Sequence, residues 1–285
     1  MIQEIKRWLQ IEVMLRRMRI ANSREFSVME KTYNLGHQIM RDKSNNLIWD
    51  EADHFSKVII VTLAKNLHRL QSIRLLCKKG LAKDALPLIR SMFEELVDLK
   101  YMAADKSRVQ NYIDYDTHTR YKLGKILEQY GGEGVDWPRL KKRNPELERE
   151  WKKIEHRYTY KSKDGKNRPF PRWTRDSVRQ LSESVGLGSM YGYLYGHISN
   201  YAHSNPMSAD EFVQGKEGDN VVVEVGASEA FVPQVLATSS GMYLDMLRVA
   251  NEERKMNLDK IIEPVEIALR KAGEARKIER QDSKP

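Results

Sequence analysis

Residues 53–105 read DHFSKVIIVTLAKNLHRLQSIRLLCKKGLAKDALPLIRSMFEELVDLKYMAAD. In the first half, apolar positions fall at Phe55, Val58/Ile59, Leu63, Leu67, Leu70, Ile73 and Leu76/Cys77, with Thr62 and Asn66 filling the same face. This three-four period predicts one long helix from about Asp53 to Lys79. Lys78 and Lys79 in its last turn and Gly80 beyond them form a stop signal. In the second half Asp84 can cap a helix that tolerates Pro87 in its first turn, where a missing N–H costs nothing. Leu88/Ile89, Met92, Leu96 and Leu99 make its apolar face. So short a turn predicts an antiparallel hairpin. Val58 to Leu76 is too charged to cross a bilayer, with Lys65, Arg69 and Arg74 inside it, and reads as a core helix.

Outward from this hairpin, helical spacing continues. Residues 2–20 predict a helix, and Asn22 with Glu25 suggests a capping box opening a second through Phe26, Met29, Tyr33, Gly36 and Met40. A helix over Arg108 to Tyr130 ends at Gly131-Gly132. Periodicity then weakens as Pro138, Pro145, Pro169 and Pro171 punctuate the chain, and KSKDGKNRPFPRW (161–173) reads as an exposed basic loop. A short helix follows over Arg175 to Val185. Glu211 to Val225 carries the one convincing β signal, two short runs around a Gly-rich turn. Helices resume over Glu229 to Glu253 and Leu258 to Arg280. The expected fold class is mainly α, a helical bundle with one small β-hairpin near 211–225. The expected organisation is an N-terminal helical pair (1–50), a main bundle (51–255, with a basic loop segment at 131–175) and a charged C-terminal helix and tail (256–285).

Composition agrees. Of 285 residues, 40% are hydrophobic and 31% charged, with 16 Gly and 9 Pro, which suits a charge-covered helical protein rather than a turn-rich β sandwich. The single cysteine, Cys77, excludes an internal disulfide framework and fits a reducing compartment. The N-terminal residues scatter charges where a signal peptide would be apolar, so a soluble, cytoplasmic protein is expected. The net charge of +9 is unevenly placed: Arg139 to Arg179 holds fifteen Lys/Arg against six Asp/Glu, and the rest of the chain balances. There is no Walker A loop, GxGxxG, GxSxG, HExxH or CxxC, which disfavours P-loop hydrolysis, a Rossmann cofactor and structural zinc. No cofactor is expected.

Three groups of residues carry candidate chemistry. MYGYLYGHISNYAHSN (190–205) places Tyr191, Tyr195, Ser199 and His203 at spacing four, hence on one helical face. A histidine there suits general acid–base work. Gly192 and Gly196 would leave a groove for a neighbouring helix. His197 and His203 stand six apart, poor geometry for metal, so no metal site is expected. On the earlier hairpin, Arg90 and Glu94 stand one turn apart beside Glu95 and Asp98, and Arg90 could hold phosphate. Lastly, the segment with Lys141, Lys142, Arg143, Lys152, Lys153, Arg157, Lys161, Arg168, Arg172 and Trp173 interleaves cations and rings, as single-stranded nucleic acid favours. The bland alternatives are a packed helix, a solvated salt bridge and a lysine-rich loop with its rings in the core.

Two of these stretches resemble the signatures of an uncharacterised bacterial family: GLAKDALPLIRSMFEELVDLKYM its "GL-x-x-x-A-x-x-L-x-R-x-x-x-E" pattern and YLYGHISNYAHSNP its "Y-x-x-x-S-x-Y-x-H-x-S" pattern. The resemblance covers about Asp53 to Ser208 and implies a helical fold and bacterial origin. It marks Arg90, Glu94, Ser199, Tyr201 and His203. More loosely, the arrangement is similar to the HEPN superfamily of helical bundles, often RNases in toxin and antiphage systems. Those use an arginine four to six residues before a histidine on one helix; here no arginine precedes His197 or His203 at that distance, so Arg90 would have to supply it. The expectation is a protein that binds, and as a metal-independent ribonuclease cleaves, RNA. A homodimer and a neutralising partner protein encoded alongside are compatible with it. The alternatives are a non-catalytic helical module binding an acidic partner, and a small-molecule or nucleotide sensor at the Arg90/His203 pocket.

Overall fold

A computed structural model describes residues 2–42, 52–131, 134, 136–195, 198, 213–217, 220–223 and 226–282. The elements are α1 (Ile2–Ala21), α2 (Ser23–Arg41), α3 (His54–Lys78), α4 (Leu86–Ala104), α5 (Arg108–Tyr130), α6 (Trp137–Ile154), β1 (Thr159–Lys161), β2 (Asn167–Pro169), α7 (Val178–Ser184), α8 (Gly188–Met190), a π-helical turn (Tyr191–Tyr195), β3 (Val213–Glu217), β4 (Asn220–Val223), α9 (Val232–Arg254) and α10 (Asp259–Asp282). The protein is a mainly α bundle, with β3 and β4 pairing antiparallel where a hairpin was expected. A second hairpin, β1 with β2, brackets Asp164-Gly165, where the sequence suggested only a loop.

The expected α3–α4 pair is present. The Asp53 side chain accepts from the Ser56 backbone N–H at 3.0 Å, and Gly80 takes the left-handed conformation (φ 69°) that ends α3. Asp84 does not cap α4; it lies in a 3-10 turn, Lys83–Ala85, that leads straight into the helix. The hairpin closes on α9, which packs against α3, α4 and α2. Residues all round α9 are buried, from Val232 and Leu236 to Tyr243, Leu247 and Ala250, so it is the central helix rather than a surface one. α10 lies on α2 and α9. Helices from the expected N-terminal pair and C-terminal segment are therefore built into one core with the main bundle. Where α2, α3 and α9 meet, a Cβ on Gly36 would come within 2.7 Å of Leu67 and 2.8 Å of Tyr243, so glycine allows the approach.

Two local expectations fail. Asn22 makes no cap; its side-chain amide donates to the Met18 carbonyl at 2.8 Å, while Glu25 is buried 3.6 Å from Arg276. The basic segment is not mainly loop: α6 occupies 137–154, started by Asp136, whose side chain accepts from the Arg139 N–H at 3.1 Å. α6 runs through Pro145 and packs on α5, with Gly124 of α5 beneath Asn144. A second, small core lies under this pair, where Trp151 and Tyr158 are buried against Tyr115 and His118. No helix among the described residues is long and apolar enough to cross a membrane.

Candidate functional site

One edge of α4 carries Arg90, Glu94, Glu95 and Asp98, and each carboxylate meets a cation from a different direction. At the first, Arg90 Nε donates to Glu94 Oε1 at 3.0 Å, the one-turn pair read from the sequence. Tyr195 closes the group from the later motif. Its hydroxyl accepts from Arg90 Nη2 at 2.7 Å and donates to Glu94 Oε1 at 3.0 Å. The guanidinium also sits 4.6 Å from the centre of the Tyr195 ring. Tyr191 stacks on Tyr195 at 4.7 Å, as the spacing of four predicts, and Phe93 contacts both rings. Burial disfavours the Arg90 charge, yet Glu94 and Tyr195 together raise its pKa further. Burial, and then the Glu94 charge, raise that of Tyr195, so the phenol stays protonated.

The backbone supplies the setting. Tyr191–Tyr195 forms a π-helical turn, a local widening that recurs at functional sites. Beyond it Ile198 is buried in the core, against which Met190 and Leu194 also pack. Gly192 has nothing within 4 Å of where a Cβ would stand, so no helix of the described residues docks there. His197, Ser199, Tyr201 and His203 lie outside the described residues.

The next two groups were only half legible. Glu95 receives a two-pronged bond from Arg69 (2.6 and 3.1 Å), with Lys65 at 2.5 Å and the Asn66 amide at 2.7 Å. Burial opposes its charge, but these partners hold its pKa below the ordinary range. Asp98 is paired with Arg172 at 2.5 Å and lies beside the Trp173 indole. Here burial wins over Arg172 and pushes the pKa up to about 6. Arg69 and Lys65 drew notice only as charges interrupting an apolar helix, and nothing local pointed to Arg172.

The expected nucleic-acid residues divide. Lys141, Lys142, Arg143, Lys153 and Lys161 are exposed, without an ion pair among the described residues. Lys152 pairs with Glu148, Arg168 with Asp164, Arg157 with Asp114 and Arg172 with Asp98. Trp173 is only 6% exposed, wedged against Tyr101 and Tyr112, so it buttresses the fold more than it offers a stacking face. Among the described residues no cluster of three His, Cys, Asp or Glu stands ready for a metal ion.

Residues 56–221 match the model of DUF5677, a family of unknown function. The chain belongs to this family. The DUF5677 segment contains Arg90, Glu94 and Tyr195 and runs from α3 into β4; it does not include α2, α9 or α10. No curated protein and no solved structure matches the chain.

Proposed function

We propose that this DUF5677 protein acts on RNA at the cleft built from α4 and the 190–205 motif, in the manner of a metal-independent, HEPN-like ribonuclease of bacterial defence or toxin type. The observation that carries the reading is the meeting of Arg90, Glu94 and Tyr195, three groups brought from two distant parts of the chain into one hydrogen-bonded set. Arg90 is mostly desolvated, its side chain 19% exposed, and so is a fixed positive charge rather than a solvated one. On this reading Arg90 holds the scissile phosphate, Glu94 and Tyr195 orient it, and Ser199, Tyr201 and His203 complete the site. His203 takes the proton of the ribose 2′-hydroxyl, the 2′-oxygen attacks phosphorus, and the 5′-oxygen leaves with a proton from solvent. The products are a 2′,3′-cyclic phosphate and a 5′-hydroxyl. Lys141, Lys142, Arg143, Lys153 and Lys161 dock the strand by neutralising phosphates.

The test is incubation of purified protein with total RNA in excess chelator. Wild type is expected to yield 2′,3′-cyclic ends, with Arg90→Ala and His203→Ala each lowering the rate about a hundredfold or more. RNA left intact by wild type, or cleaved equally by both variants, overturns the catalytic reading. A second reading, a non-catalytic module that binds an acidic partner through the same lysines, is favoured by the burial of Trp151, Tyr158 and Trp173, which withdraws three of the segment's rings from contact with a strand.

A further inference from the structure

A cleft of about 470 Å³ opens between α3 and α5, and neither Arg90, Glu94 nor Tyr195 lines it. Its volume falls within the roughly 300–1,000 Å³ of small-ligand pockets. One wall is aromatic: half-buried Tyr112 and Tyr115 line it, and the buried Trp173 supports Tyr112 edge to face, ring centres 5.3 Å apart. The rim is cationic, formed by Lys57, Lys65 and Arg120. Lys65 shares Glu95 with Arg69, and Arg120 is paired with Asp116, while Lys57 meets no carboxylate among the described residues. Lys57, Lys65, Arg69 and Arg120 together exceed Glu95 and Asp116 by two positive charges. Val61, 43% exposed, forms an apolar lip between the two lysines, one helical turn from each.

An aromatic wall in the same cleft as a rim with two surplus positive charges matches a planar heterocycle that carries a doubly charged phosphate. A purely apolar ligand would strand the lysines, and a phosphate alone would leave the rings unused. We propose that this cleft binds a nucleoside monophosphate unit, its base against Tyr112 and its phosphate at Lys57 and Lys65. The site is separate from the Arg90–Glu94–Tyr195 group and does not depend on cleavage there. The unit can be a free nucleotide or the phosphorylated 5′ end of an RNA strand, and the two sources share this chemistry.

Calorimetric titration of the full chain with AMP, GMP, CMP and UMP tests it, with inorganic phosphate as control. At least one nucleotide is expected to bind once per chain, about tenfold or more tighter than phosphate. Lys57→Glu and Tyr112→Ala are expected to weaken binding about tenfold or more. Val61→Trp, at an exposed position, fills the cleft without touching the core and is expected to abolish binding with an unchanged thermal melt. Arg90→Ala is expected to bind as wild type does, which separates this site from the RNA-cleaving one. Competition by 5′-phosphorylated against 5′-hydroxyl oligoribonucleotides distinguishes a strand end from a free nucleotide. No binding of any nucleotide at millimolar concentration, or undiminished binding by Val61→Trp, overturns the proposal.

Discussion

Glu95 and Asp98 stand one turn apart on α4, and their surroundings drive them in opposite directions. The folded protein holds the Asp98 proton more tightly than an unfolded chain, so the neutral form is the stabilising one. That contribution is complete below about pH 4 and is lost as pH rises towards the folded value of about 6. At 1.36 kcal/mol per unit it amounts to ~3 kcal/mol at most. Asp98→Asn removes the titration, so urea melts should show the variant gaining on wild type between pH 4 and 7; a constant difference would contradict the burial argument. Glu95 has the reverse sign, contributing stability above the ordinary carboxylate range and losing it in acid. At Gly36 the limit is steric. Gly36→Ala should cost about 1–3 kcal/mol by forcing Leu67 and Tyr243 apart, read as a lowered denaturation midpoint. The Arg90–Glu94 pair was legible because helical spacing makes it local. Tyr195 lies 105 positions from Arg90, and Arg172 lies 74 from Asp98, distances that only packing spans.

At the scale of elements, α3, α4 and α9 could be read because each buries a broad apolar face whose period survives in sequence. α6 could not, since Asn144, Leu147 and Trp151 are the buried residues of its described part and Pro138 and Pro145 mimic breaks. The caps read from the sequence, Asn22 and Asp84, do not form, and Asn22 instead donates its amide to the Met18 carbonyl. Ser177 and Gln180, which the sequence reading passed over, form a reciprocal box at the start of α7. Ser177→Ala should therefore destabilise by about 1 kcal/mol, a small downward shift in a chemical melt, while Asn22→Ala acts through the lost Met18 bond and not through capping. Leu70, fully buried on α3, should cost ~3 kcal/mol on truncation to alanine, measured the same way.

For the whole molecule, the uneven charge found in sequence becomes an exposed set of cations on and beyond α6, the set proposed to dock RNA. Replacing Lys141, Lys142 and Arg143 by glutamate should weaken binding and flatten its logarithmic salt dependence by about 2 units, since each single-strand phosphate contributes ~0.7. An unchanged slope in filter binding would place docking elsewhere. The DUF5677 segment, 56–221, holds the Arg90–Glu94–Tyr195 group and the residues of the α3–α5 cleft but not α9, the helix on which α3 and α4 close. A fragment cut at those limits keeps every group named in the chemistry and loses the keel that sets their spacing. It should stay expanded and bind a hydrophobic dye, and adding residues 226–282 as a separate peptide should restore it. On that outcome the recognisable segment is a cast that takes its shape only when the flanking helices are poured around it.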